Sequence, residues 1–202
     1  MPPVTHPAAV PLPIAGRAPE RSDAAANRER ILAAARRMLA EQGAEALSMN
    51  AVAAAAGVGK GTIFRRFGDR DGLTAALLDA HTAQLQDAFL FGPPPLGPGA
   101  APEARLEAFM RALVHFHDAH LEIVLAAERL VPGAPPVYGT FLIHVRSLLE
   151  QVDPRLDAPV LAGLLLSAVD PPGLQRLLRR ENADPARVAD GIVALLRGLL
   201  AA

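Results

Sequence analysis

Proline and glycine divide the chain of 202 residues into helix-forming blocks, and this punctuation is the strongest constraint on its fold. Between the breaks alanine, leucine and arginine dominate, and all three are good helix formers. No long run alternates apolar and polar residues as a half-buried strand does. Apolar residues make up 51% of the chain, which is enough to build packed cores. The sequence therefore predicts an all-α protein of about nine or ten helices.

Capping residues predict where the first four helices begin and end. Small polar side chains favour the position before a helix, and glycine favours the position after it. The predicted bounds are Ser22 or Asp23 to Gly43, Ser48 to Ala55, Lys60 to Phe67, and Asp69 onward. Ahead of them, residues 1–21 are rich in proline and alanine and are predicted to form a flexible arm.

Further proline-rich breaks separate the helices that follow. The stretch 91–102 is the clearest linker because prolines and glycines fill it. Other breaks are predicted at 131–136, 152–154, 170–173 and 182–185. We expect three parts: the arm at 1–21, a small helical domain at 22–68, and a larger helical domain at 69–202.

The segment SMNAVAAAAGVGKGTIFRRFGDRDGL, residues 48–73, predicts two short helices joined by a tight turn. Gly57 tolerates the left-handed backbone that such a turn requires. Small apolar side chains allow the two helices to cross closely, and they are Val52, Ala53, Ala56, Val58 and Ile63. This arrangement is typical of a helix-turn-helix.

The second of these short helices carries an outward-facing basic surface. Its outward side chains are Lys60, Thr62, Arg65 and Arg66. Three cations and a hydroxyl suit contact with phosphates and base edges in the major groove. The first 70 residues agree, with ten Lys or Arg against six Asp or Glu, whereas the remainder has ten against fifteen. The alternative is an ordinary helical hairpin with a solvated basic face. Arg36 and Arg37, on the first helix, are expected to be solvated and not bound to DNA.

The same segment closely resembles the DNA-binding motif of the Tet repressor (TetR) family of bacterial transcriptional regulators. The matching residues are Ser48, Val52-Ala53, Ala56-Gly57-Val58, Lys60-Gly61-Thr62, Phe64, Phe67, Arg70-Asp71 and Leu73. With the first helix included, the resemblance covers about residues 24–75. It implies a recognition helix carrying Lys60, Thr62, Phe64, Arg65 and Arg66, with Ser48 and Arg70 approaching phosphates.

Two residues depart from the family pattern. Phe64 stands where the family usually has a tyrosine whose hydroxyl contacts a phosphate, and Gly59 stands where it usually has a capping Ser or Thr. Each loss is expected to cost about 1 kcal/mol. Arg65 and Arg66 are candidates to compensate.

Polar residues within the larger domain are candidates to line a ligand pocket. They are His117, His120, Arg129, Tyr138 and His144. Arg129 lies in an apolar run beside Glu128, and a buried arginine needs a carboxylate or an anionic ligand. The cluster from His115 to Glu122 lacks metal-ligand spacing, so no metal site is expected. Two alternatives stay open: satisfied or solvated side chains, and an all-α enzyme using this cluster.

Small residues at helical spacing on the last helices predict a two-fold interface. The candidates are Val160, Gly163, Leu164 and Ser167 on one helix, and Gly191, Ala194, Leu195 and Gly198 on the final one. Small side chains beside leucines permit close helix packing, either between two copies or within one subunit. The resemblance favours two copies, since the family's dimers form through their last long helices and two reading heads match a palindrome.

The expected function is that of a ligand-responsive repressor. It would bind a palindromic DNA operator as a homodimer and be released by a small-molecule effector, whose preference for one spacing of the reading heads lowers DNA affinity. The alternative is a DNA-binding regulator with no ligand. The sequence has no cysteine, which excludes disulfides and thiolate zinc sites. No cofactor, secretory signal or membrane span is predicted, and a cytoplasmic location is expected.

Overall fold

The computed structural model describes residues 18–43, 46–130 and 136–201. Side chains are described for 23–43, 46–125 and 138–201. Within these ranges every regular element is a helix, which confirms the predicted all-α class. The helices are α1 Ala18–Gln42, α2 Met49–Ala56, α3 Lys60–Phe67, α4 Arg70–Phe91, α5 Pro102–Leu130, α6 Pro136–Val152, α7 Ala158–Ser167, α8 Pro171–Gln175 and α9 Pro185–Leu200. A π-helical turn, Arg176–Arg180, continues α8.

Local side-chain chemistry places the ends of α2 and α4 where the sequence predicts them. The Ser48 hydroxyl oxygen accepts a hydrogen bond from the backbone N–H of Ala51 at 3.2 Å. Asp69 accepts one from the backbone N–H of Gly72 at 2.8 Å. Both bonds satisfy amides that the first turn of a helix leaves free. After α2, Gly57 adopts φ 64° and ψ 35°, the left-handed conformation that lets the chain turn into α3.

Two predicted boundaries are wrong, and proline accounts for both. The arm was expected to reach residue 21, but α1 begins at Ala18. The break expected at 170–173 is instead the first turn of α8, which Asp170 caps through the backbone N–H of Gly173. Proline lacks an N–H that the first helical turn would leave unused, so it starts a helix as readily as it ends one. Residues 1–17 and the break at 131–135 lie outside the described residues.

Two apolar cores organise the chain, and α4 and α5 contribute to both. The N-terminal core contains the buried side chains of α1, α2 and α3 together with Leu73 and Leu77 of α4 and Ile123 of α5. The C-terminal core contains Leu85 and Phe89 of α4 and the first half of α5, packed on α6 to α9. The predicted domain boundary is at residue 68. The helix that follows it, α4, still packs on the N-terminal core through its first half.

We expect Gly57→Ala to destabilise the protein by about 1 kcal/mol, because a Cβ disfavours positive φ. No atom lies within 4 Å of a Cβ built at this position, so the penalty is conformational and not steric. Gly61→Ala is the matched control, since Gly61 is helical with open space around it and alanine stabilises a helix by roughly 0.5–1 kcal/mol. Urea unfolding measures both, and equal effects of the two substitutions would contradict the role assigned to Gly57.

Candidate nucleic-acid interface

A single buried side chain fixes α3 on the protein. Ile63 is fully buried in the N-terminal core, with Val58 and Phe67 partly buried beside it. This anchor confirms the predicted close crossing of α2 and α3, in which Val52 and Ala53 of α2 are also buried. Apart from Ile63 and the partly buried Phe67, the side chains of α3 are open to solvent or to a partner.

The outward surface of α3 carries the predicted basic side chains. Lys60, Arg65 and Arg66 are exposed, and Thr62 is half-exposed. Phe64 is also 45% exposed, although an aromatic ring usually gains by burial. This surface is therefore cationic with one apolar ring, and α3 itself contains no acidic residue.

The N-terminus of α3 lacks a side-chain cap, as the glycine at position 59 predicts. Gly59 has φ −65° and ψ 145°, an ordinary extended conformation that any residue adopts. A Cβ here would meet only the Thr62 hydroxyl oxygen, at 3.9 Å. The structure would thus accept a capping serine, and glycine is not required by the backbone.

Two further predicted contacts lie at helix starts on either side of α3. Ser48 is exposed, and because its oxygen accepts from Ala51, its hydroxyl hydrogen stays available to donate. Arg70 is exposed as the first residue of α4. Free backbone N–H groups at such positions favour anions.

The candidate pocket residues of the larger domain do not converge on one place. His117 is buried on α5, and His120 stacks on His81 of α4 with ring centroids 3.8 Å apart. His144 lies elsewhere, stacked on Phe89 at a centroid distance of 4.2 Å. Tyr138 packs against the C-terminal core. The Arg129 and Glu128 side chains lie outside the described residues.

Of the candidates whose side chains are described, only His120 lines a half-open pocket of about 340 Å³ between α1, α4, α5 and the π-helical turn. His81 lines it too and was missed by sequence reasoning. His81 follows Leu77 by four residues and so lies on the buried face of α4. This spacing could have indicated from the sequence that His81 points inward. Arg36, expected to be solvated, is another lining residue, and its Nε is buried without a hydrogen-bond partner.

Burial keeps the histidines of this region neutral near pH 7. Burial, reinforced by His120 and Arg36, lowers the pKa of His81 to about 4. Burial likewise lowers the pKa of His117 to about 4, and that of His120 falls for the same reason. In the C-terminal core, burial and Arg105 lower the pKa of His144 to about 4. Burying a charged imidazole costs more than burying a neutral one, which explains the common direction.

The candidate interface residues are exposed or half-exposed on α7 and on α9. Val160, Leu164 and Leu195 are 54%, 61% and 66% exposed. Ser167, Gly191, Ala194 and Gly198 are exposed with them, and Gly163 is half-exposed. A Cβ added at any of the three glycines would meet no described atom within 4 Å. Packing within one chain therefore does not explain why these positions are small.

Comparison with known proteins identifies the N-terminal part. The model of the family described as bacterial regulatory proteins, tetR family, matches residues 31–77, which contain α2, α3 and the turn between them. This segment is therefore similar to the DNA-binding domain of the TetR family. An HTH-type transcriptional regulator of Staphylococcus aureus (strain USA300) is 43% identical over 53 residues, 26% of this chain and 29% of the relative. The matched segment thus spans less than a third of the length of such curated relatives.

Solved structures extend the similarity along most of the chain. A TetR-family transcriptional regulator from Pectobacterium atrosepticum matches with a TM-score of 0.69 at 22% identity, covering 89% of this chain and 95% of the other. The multidrug binding protein EbrR, solved with imidazole, matches with a TM-score of 0.59 at 29% identity, covering 91% and 96%. The predicted two-part helical fold is confirmed, and the predicted resemblance to the TetR family is confirmed for the helix-turn-helix segment. In the part of the chain that the structure describes, no helix is both long and apolar enough to cross a membrane.

Gly59→Ser is expected to stabilise the N-terminal domain by a few tenths of a kcal/mol, because the new hydroxyl caps α3. Gly59→Ala is the control, since it adds a Cβ without a capping oxygen and should destabilise. Urea unfolding of the two variants checks the difference, and a serine variant no more stable than the alanine variant would contradict it.

His117 gives a pH prediction. The pKa of His117 in the folded protein lies below its unfolded value of about 6.5. Its contribution to the free energy of unfolding is therefore complete above pH 6.5 and is lost as the pH falls toward 4. We expect His117→Gln to flatten the fall in unfolding free energy over this range, by at most about 1.4 kcal/mol per pH unit. His115→Gln is the control because His115 is exposed on the same helix. Parallel pH profiles for wild type and His117→Gln would refute the assignment.

Proposed function

We propose that this protein is a ligand-responsive repressor that binds a pseudo-palindromic DNA operator as a homodimer. The observation that carries the DNA-binding part is the surface of α3, where Ile63 alone is buried and three cations face outward. A helix of this kind fits the major groove, with arginine suited to guanine and to phosphates. Non-enzymatic regulation and a cytoplasmic location follow from this function.

The proposed DNA contacts fall into two groups, those to base edges and those to phosphates. Thr62, Arg65 and Arg66 are the candidates for base edges, and Lys60, Ser48 and Arg70 are the candidates for phosphates. Phe64 retains a ring that can pack against the DNA backbone or a thymine methyl, without the hydroxyl of the usual tyrosine. Adding that hydroxyl by Phe64→Tyr supplies a donor at an exposed position.

Dimerisation through α7 and α9 supplies the second reading head. The exposed leucines provide apolar area, and the glycines allow a second pair of helices to approach closely. Two copies related by a two-fold axis would place their α3 helices about 34 Å apart, one turn of DNA, which is the spacing a pseudo-palindrome requires.

Ligand response is supported by the pocket beside His81 and by the two cores that share α4 and α5. A ligand that favours one packing of these helices changes the position of α3 relative to its partner. A preference of about 2–3 kcal/mol between the two states lowers DNA affinity roughly 30- to 150-fold. The resemblance to EbrR, described as a multidrug binding protein, points the same way.

Selection of genomic fragments by the purified protein, followed by fluorescence anisotropy on a recovered fragment, tests DNA binding. Arg65→Ala is expected to lower affinity about tenfold or more, and Phe64→Tyr to raise it. The DNA affinity of the wild type should fall steeply as the salt concentration rises. If Arg65 contacts a phosphate, this dependence should be shallower for Arg65→Ala. Arg37→Ala is the control, an exposed arginine on α1 that should leave affinity unchanged. Full affinity for Arg65→Ala would count against the assigned recognition surface.

Leu164→Glu combined with Leu195→Glu is expected to convert the dimer to a monomer, because charges on an apolar interface are desolvated without partners. Both side chains are exposed in one chain, so circular dichroism should be unchanged. Phe91→Glu is the control, an apolar side chain 79% exposed at the end of α4. Light scattering after size exclusion reads the mass, and a double variant that remains dimeric would overturn this interface.

A further inference from the structure

We propose that the pocket between α1, α4, α5 and the π-helical turn binds a small carboxylic acid with an apolar, ring-sized body. The proposal deepens the proposed function, since it names the class of effector and places its site at the junction of the two cores. The pocket measures about 340 Å³, within the range of small-molecule sites. Its position is set by the C-terminal half of α1 and the middle of α5.

Arg36 supplies the anion-binding group. Its Nε is buried without a hydrogen-bond partner, and its nearest described carboxylate, on Glu29, lies 3.6 Å from another guanidinium nitrogen. A buried donor without a partner costs free energy, which a carboxylate oxygen arriving from outside would recover. Arginine and a carboxylate form two parallel hydrogen bonds, so the acid is matched in shape as well as charge.

The histidines supply a second polar contact and a flat surface. His81 is 7% exposed and its Nδ1 is buried without a hydrogen-bond partner, although the ring lines the pocket. Both His81 and His120 carry a pKa lowered by burial and by the nearby Arg36 charge. An anion would offset that charge and allow an imidazole to donate a hydrogen bond or take up a proton.

The other charged lining residues are paired with each other or exposed. Arg179 donates to the Asp118 carboxylate and to the Asp118 carbonyl, each at 2.8 Å, so this pair closes one wall. Glu122 is exposed. Arg36 therefore provides the unused buried donor among the charged lining residues.

Apolar side chains form the remaining walls and select the body of the ligand. Leu39, Leu121 and Ile123 line the pocket, with Ala40 and Ala119 beside them. Such walls favour a ring or a branched chain over a sugar or a phosphate ester, whose hydroxyls would lose hydrogen bonds on entry. A ligand held here contacts α1 of the N-terminal core and α5 at once, and so biases how α1 sits against α5.

The test is calorimetric titration of the full chain, without DNA, with three ligands of one shape: 2-naphthoate, 2-naphthamide and 2-naphthamidine. We expect naphthoate to bind at least about tenfold more tightly than the neutral amide, and the cationic amidine to bind most weakly. Equal binding of all three, or preference for the amidine, overturns the proposal, as does no binding of naphthoate.

Variants place the bound acid in this pocket. Arg36→Gln should weaken naphthoate at least about tenfold and leave the amide nearly unchanged. Arg37→Gln is the matched control, since Arg37 is exposed and does not line the pocket. Ala40→Phe fills the pocket from an exposed position and should abolish binding even if Arg36→Gln folds poorly. Unchanged naphthoate affinity in Ala40→Phe overturns the site.

Two outcomes separate this proposal from the proposed function. Failure of naphthoate to bind, with operator binding intact, removes the carboxylic acid site and leaves the regulator. Failure of operator binding, with the predicted naphthoate pattern, removes the DNA-binding proposal and leaves the site.

Discussion

The burial of Ile63 is the interaction on which the recognition surface depends. Because α3 has eight residues and one fully buried side chain, its orientation follows from how that side chain fits the N-terminal core. Gly57 makes the fit possible, since its left-handed backbone brings α3 back across α2. Because α3 is short and no side chain caps it at Gly59, the helix has little stability of its own.

The two cores are joined by the same pair of helices, α4 and α5, and the proposed ligand response depends on this connection. Leu77 of α4 packs with α1 to α3, whereas Phe89 of the same helix packs with α5 and α6. Phe116 of α5 contacts both cores. A rigid helix shared by two cores transmits displacement between them, because packed interiors repack in discrete arrangements and do not deform smoothly.

The sequence predicts the helix ends, which depend on hydrogen bonds between near neighbours, but it does not predict contacts between side chains on different helices. Ser48, Gly57 and Asp69 fix helix ends through hydrogen bonds within four residues, so their roles follow from spacing alone. The stacking of His81 on His120 joins residues on different helices, and no periodicity indicates it. The sequence does not decide whether Pro19 and Pro171 interrupt a helix or begin one. Proline as a residue type is compatible with both positions, because the first helical turn does not need its missing N–H.

In the proposed function, two copies of α3 read one face of DNA through their outward side chains. Hydroxyl-radical footprinting on a selected fragment tests it most directly. The account predicts two protected patches on one face of the duplex, related by two-fold symmetry and centred about one helical turn apart, and both lost with Arg65→Ala. A single unbroken patch, or protection that survives Arg65→Ala, would contradict it.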